Sequence, residues 1–126
     1  MRILIAPDKF KGTLSAQEAG AAIAEGLQGH DLQVQPVADG GEGTVQVIAA
    51  ALDAIPVRTE VSDPLGRPVQ AEFALAGDVS GGGGIALLEM SSASGLGLLH
   101  ENERDPWSAS TLGSGELLVA ARDAGV

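Results

Sequence analysis

The residues best suited to chemistry lie in Val37-Ala38-Asp39-Gly40-Gly41-Glu42-Gly43-Thr44, where two carboxylates stand among three glycines, after an apolar run and before a helical pattern. Glycine-rich turns at a helix start usually favour anions, because backbone N–H groups and the positive end of the helix dipole point at the ligand. Asp39 and Glu42 oppose a bare phosphate by Coulomb repulsion. A Mg²⁺ ion removes the conflict, since magnesium takes one or two carboxylates together with phosphate oxygens and waters. The alternative is that Asp39 caps the helix and Glu42 complements its dipole. The loop has no G-x-x-x-x-G-K-[ST] pattern, and no G-x-G-x-x-G stands at a strand-to-helix junction.

Three other segments carry candidate groups. Asp8-Lys9-Phe10-Lys11-Gly12 places two of only seven basic residues in one loop of an acidic chain, where an anionic substrate needs compensation. Lys11 is the favoured of the two, because Gly12 lets backbone approach a ligand. Glu89 ends an apolar run, and a carboxylate there needs a ligand, a metal or a hydrogen-bond donor. The serines after it, Ser94 included, are read as turn chemistry when taken alone. The last segment, Thr111-Leu112-Gly113-Ser114-Gly115-Glu116, opens a helix whose first turn offers N–H donors. Gly81–Gly84 is read as a hairpin turn, since no helical pattern follows it, and His30 and His100 sit in polar, exposed segments.

The elements that must position these groups follow from periodicity. Arg2–Ala6 and Gln33–Ala38 are short apolar runs that predict buried strands. Ser15-Ala16-Gln17-Glu18 is a capping box, and Ala19, Ala22, Ile23, Gly26 and Leu27 predict one helical face, with Gly29 ending the helix. Val45, Ile48, Ala49 and Leu52 predict a second helix. Strand, loop and helix, twice over, argue for a parallel sheet with right-handed crossovers and ligands beyond the strands' carboxyl ends. Alternation at Val57, Thr59 and Val61, and at Val69, Ala71, Phe73 and Leu75, predicts an antiparallel hairpin within 56–78, inserted into that pattern. Asp78–Gly84 is a turn into a further buried strand over Ile85–Met90. Leu117, Leu118 and Ala121 predict one face of a final helix, with Gly125 at its end. The fold class is therefore α/β, a parallel sheet with flanking helices plus an inserted antiparallel hairpin. The pattern stops where an alternating fold would continue, so the chain reads as the incomplete N-terminal part of a two-domain protein.

Composition narrows the partners. The chain has 126 residues, with 17 acidic against 7 basic residues and a formal charge of −10, which repels nucleic acid and anionic membranes. One Trp, two Phe and no Tyr leave no aromatic platform for stacked bases. No cysteine is present, which excludes disulfides, thiolate metal sites and cysteine nucleophiles. No stretch has the length of a signal peptide or a membrane span, so a cytoplasmic location is the expectation.

Taken together and in order, APDKFKGTLSAQEA, PVADGGEGT, VSDPLGRPV, LLEMSSASGLGLL, NERDP and TLGSGELL resemble the bacterial glycerate kinase family, of the two-domain, ATP-dependent type. The resemblance covers nearly the whole chain. It implies transfer of the γ-phosphoryl group of ATP, with Mg²⁺, to a hydroxyl of D-glycerate in a cleft between two α/β domains. Carried over by position, the site region comprises Asp8, Lys11, Asp39, Gly40, Gly41, Glu42, Gly43, Thr44, Glu89, Ser94, Thr111, Gly113, Ser114, Gly115 and Glu116. Within it, Asp8, Lys11, Asp39 and Glu42 are the catalytic candidates, and Asp39 and Glu42 the candidates for Mg²⁺. Lys9 stands where the family leads one to expect serine, and Ser114 where it leads one to expect threonine. Family members are longer, and a later Gly-Gly-Ser-Ala-Thr-Asn-Asp-Gly-Gly motif is absent. The rival readings are a non-catalytic truncated fragment, self-associating through exposed apolar surface, or a small acidic module that binds a metal or an anion.

Overall fold

The computed structural model describes residues 1–78 and 83–126. Val79–Gly82, and with them half of the predicted glycine tetrad, lie outside the described residues. The chain divides into two compact units, Met1–Val47 and Ile48–Val126.

In the first unit, strand β1 (Arg2–Ile5) pairs in parallel with β2 (Asp31–Val34), Ile5 beside Val34. The connecting helix α1 (Ala16–Gly26) starts as the capping box predicts. Ser15 accepts the Glu18 N–H at 3.2 Å, and the Glu18 carboxylate accepts the Ser15 N–H at 2.8 Å. That backbone N–H, and then the Ser15 hydroxyl, hold the Glu18 carboxyl below its usual value. The buried face differs from the predicted one: Ala16, Ala19 and Gly20 are buried, while Ala22, Ile23 and Gly26 are exposed. The close approach at Gly20 explains it, since a Cβ there would meet the Val34 side chain at 2.6 Å and Pro7 at 3.5 Å. The helix seats its smallest residues on the sheet, and its one isoleucine faces away. The helix stops before Gly29, which adopts a positive φ in the following turn. Helix α2 (Thr44–Ala51) runs across the boundary between the units and begins where the acidic loop ends.

The second unit is built on an antiparallel sheet in the order β3 (Ile55–Ser62), β4 (Pro68–Ala76), β5 (Ile85–Leu88). The hairpin forms with Val61 opposite Val69 and Val57 opposite Phe73, so its alternating residues share a face as predicted. The later strand, predicted over Ile85–Met90, forms over Ile85–Leu88 and pairs antiparallel with β4, Phe73 opposite Leu88. Its apolar residues complete the hairpin's sheet, because two strands alone are marginal and a third supplies the missing edge. Helices α3 (Ser91–Ser94) and α4 (Leu112–Asp123) lie on that sheet, and Val61, Ala71, Phe73, Ala93, Leu117 and Ala121 form its core. Leu118, predicted on the buried face of α4, points outward and is 61% exposed.

The turn from β3 to β4 is held by one buried carboxylate. Asp63 accepts the N–H groups of Leu65 and Arg67, each at 2.8 Å, and the Arg67 Nε at 2.6 Å. Burial by itself would push its carboxyl up, but Arg67 and Leu65 outweigh that and hold it below the usual range. Arg67 reaches on to Glu103 at 2.7 Å, so the hairpin turn and the Asn102-Glu103-Arg104-Asp105-Pro106 segment are tied by one guanidinium. Among the described residues, no helix is long and apolar enough to cross a membrane.

Candidate active site

The first unit brings together the two loops that follow its parallel strands. Lys9 Nζ lies 3.4 Å from Asp39 Oδ1. The same oxygen accepts the Gly41 N–H at 2.9 Å, so Asp39 closes a turn within its own loop. The Gly41 N–H and then Lys9 hold the Asp39 carboxyl below its usual value. Gly40 and Gly43 both have φ +92°, which opens this backbone to glycine and few other residues. The Thr44 hydroxyl donates to the Gly41 carbonyl at 2.6 Å and shuts the loop onto the start of α2. The packing is close: a Cβ on Gly41 would sit 3.0 Å from Asp39 Oδ1 and 3.3 Å from Lys9 Nζ.

The structure adds two features to this region. Lys11 is exposed and, among the described residues, makes no ion pair, while Lys9 meets Asp39. Composition held the clue, since a lysine in so acidic a chain has many partners to choose from, but only the parallel pairing of β1 and β2 puts these two loops side by side. The glycine N–H groups are not all held for a ligand either, because Gly41 uses its own within the loop. Asp8 is half-buried and accepts the Lys9 N–H at 2.7 Å, which sets where the lysine departs from the strand. Glu42 is exposed.

The remaining candidates belong to the second unit and interlock there. Glu89 follows β5 and accepts the Ser91 hydroxyl at 2.6 Å, which supplies the donor its position calls for. Ser94, at the end of α3, shares a 2.7 Å hydrogen bond with Ser114 in the first turn of α4. Glu116 reaches back to Ser62 at the end of β3, accepting its N–H at 2.6 Å and its hydroxyl at 3.2 Å. Gly113 is buried against the Ser62 carbonyl, where a Cβ would overlap the oxygen. The N–H groups of this turn are largely taken: Leu112 donates to the Ser110 hydroxyl, and Ser114 and Gly115 to the Thr111 carbonyl. Thr111 itself is exposed, with no side-chain bond to cap the helix.

Magnesium can be judged on these donors. Among the described residues, no group of three or more Asp, Glu or His could hold an ion. Asp39 and Glu42 are exposed carboxylates in one loop, and Lys9 already compensates one of them. That donor set suits an ion arriving on phosphate oxygens and not a resident one.

Comparison with known proteins settles the relationship. Residues 3–126 match the sequence model of the glycerate kinase family. The chain belongs to that family. It is 47% identical to a glycerate kinase of Bacillus subtilis over 99% of its own length and 41% identical to a glycerate 2-kinase of Escherichia coli, also over 99%. A crystal structure assigned provisionally as glycerate kinase 2 of Salmonella typhimurium LT2 superposes with a TM-score of 0.80 at 42% identity, covering 100% of the chain. The chain spans about a third of the length of these relatives: 33% of each curated protein and 34% of the crystallised one. The family's fold is thus shared across all of this chain, while two-thirds of each of these relatives has no counterpart in it.

Proposed function

We propose that this chain supplies one part of a glycerate kinase site, for the ATP- and Mg²⁺-dependent phosphorylation of a hydroxyl of D-glycerate. The observation that carries the reading is the Lys9–Asp39 contact, which joins the loops beyond the carboxyl ends of two parallel strands, where ligands of open α/β sheets bind. Membership of the glycerate kinase family and the names of the relatives support the substrate.

Phosphoryl transfer needs positioning and charge neutralisation more than covalent chemistry from the protein. In this reading Lys11, exposed beside Gly12, neutralises the glycerate carboxylate or a phosphate, and Lys9 orients the Asp39 carboxylate. The Asp39 carboxyl, held low, stays ionised at neutral pH, so it accepts a hydrogen bond from the substrate hydroxyl. When bound with ATP, Mg²⁺ would be held by Asp39 and Glu42 and would neutralise phosphate charge. Glu116, Ser94 and Ser114 act by fixing the start of α4.

The test is a chimera in which residues 1–126 replace the matching third of the Bacillus subtilis enzyme, assayed with D-glycerate and Mg-ATP. The chimera is expected to turn over, and Asp39→Asn to lower kcat/KM by about a hundredfold or more, the scale of losing a positioned acid–base group. Near-normal turnover of the Asp39→Asn chimera would sink the proposal.

A further inference from the structure

Helix α4 is apolar on two opposite sides. Gly113, Leu117 and Ala121 are buried against the antiparallel sheet, and Ala120 packs at the margin of the same core. At about 100° per residue, Leu112, Gly115, Leu118, Val119 and Arg122 fall on one contiguous stripe facing the other way. Leu112 is 60%, Leu118 61% and Val119 46% exposed, and Asp123, at the edge of the stripe, pairs with its Arg122. A helix covering one side of a sheet is ordinarily polar on its outer face; one that is apolar on both sides is an inner helix, packed front and back.

We infer that the outer stripe of α4 is a docking face for an apolar segment of the remaining two-thirds of a family-length glycerate kinase chain. The occupant follows from length and from the apolar character of the stripe. The relatives that match this chain are about three times as long, and the one cation of the stripe, Arg122, is already paired with Asp123 at 2.7 Å, so the stripe suits an apolar segment without a charge of its own. A second copy of this chain is the poorer fit, because its net charge of −10 opposes self-association.

The experiment places Leu118→Glu with Val119→Glu in two settings, the 126-residue chain and the chimera described above, and compares urea unfolding in each. In the short chain both positions face water, so the unfolding midpoint is expected to stay close to that of the unsubstituted chain. In the chimera the two carboxylates must be buried or the contact must open. The folded-to-unfolded ratio is expected to fall by about a hundredfold or more, up to outright failure to fold. Leu118→Ala in the chimera gives the graded version, a loss of about tenfold or more from an emptied contact, against little change in the short chain. An equally small effect in both settings overturns the inference. So does an equally large one, which places the cover within residues 1–126. Sedimentation showing that the short chain is a dimer which the double substitution makes monomeric, with the chimera unaffected, assigns the face to a second copy and overturns it as well.

Discussion

Two glycines in one helix, two residues apart, should respond to the same substitution with opposite sign. Replacing Gly by Ala inside a helix stabilises by up to about 1 kcal/mol through backbone entropy when the new methyl group has room. At Gly115 nothing lies within 4 Å of an added Cβ, so that gain is realised. At Gly113 the Cβ would overlap the Ser62 carbonyl oxygen, lie 2.9 Å from its carbon and 3.4 Å from the Ala93 Cβ. The obstacle is backbone of a paired strand, not the flexible end of a side chain, and overpacking of this kind costs about 1–3 kcal/mol or more. Moving α4 aside to make room also stretches the Glu116 bonds to Ser62. Gly113→Ala should therefore lose about 2 kcal/mol net while Gly115→Ala gains about 0.5–1 kcal/mol. For a chain of this size that is a melting temperature lower by roughly 8 °C in one variant and higher by about 2–4 °C in the other. Circular dichroism melts of the two variants and the parent decide the matter. A Gly113→Ala protein that melts at or above the parent would refute the argument that the first turn of α4 is pressed onto the end of β3.

The other predictions concern the cap and the charged groups. Ser15→Ala removes half of the capping box on α1 and should cost about 1 kcal/mol in urea unfolding, with Ser15→Thr largely sparing it. Asp63 and Glu103 both have lowered carboxyl pKa values in the folded chain, Glu103 through the Arg67 side chain and then the His100 N–H. Their contribution is complete above the ordinary carboxylate range and lost as pH falls through the lowered values, so the urea midpoint should drop on acidification below about pH 4. Asp63→Asn should start less stable near neutrality and show a shallower drop. Finally, Lys9→Met should raise the Asp39 titration midpoint, followed by carboxyl-carbon NMR, yet leave it below the ordinary value because the Gly41 N–H is the larger cause. An unchanged midpoint would dissolve the contact on which the proposed site rests.

Local signals were legible residue by residue. The capping box at Ser15, the hairpin alternation from Val57 to Leu75, and Gly125 at the end of the last helix were evident in the sequence, because each depends on neighbours within a few residues. Motif order likewise pointed to the family that the comparisons show. What failed were statements about which face is buried. Ile23 and Leu118 fit a helical apolar period as well as the residues that are buried, and periodicity alone does not say which side meets the sheet.

The candidate site divides along the same line. Sequence by itself determined that Asp39 and Glu42 share a glycine-rich loop, that two lysines follow the first strand, and that glycines open the last helix, since these are matters of composition and spacing. Only the tertiary structure decided that Lys9 rather than Lys11 meets Asp39, and that Glu116 spends its carboxylate on Ser62. The physical reason is separation along the chain. Lys9 and Asp39 are 30 residues apart and Glu116 and Ser62 are 54 apart, so neither contact exists until strand pairing and helix packing bring the segments together.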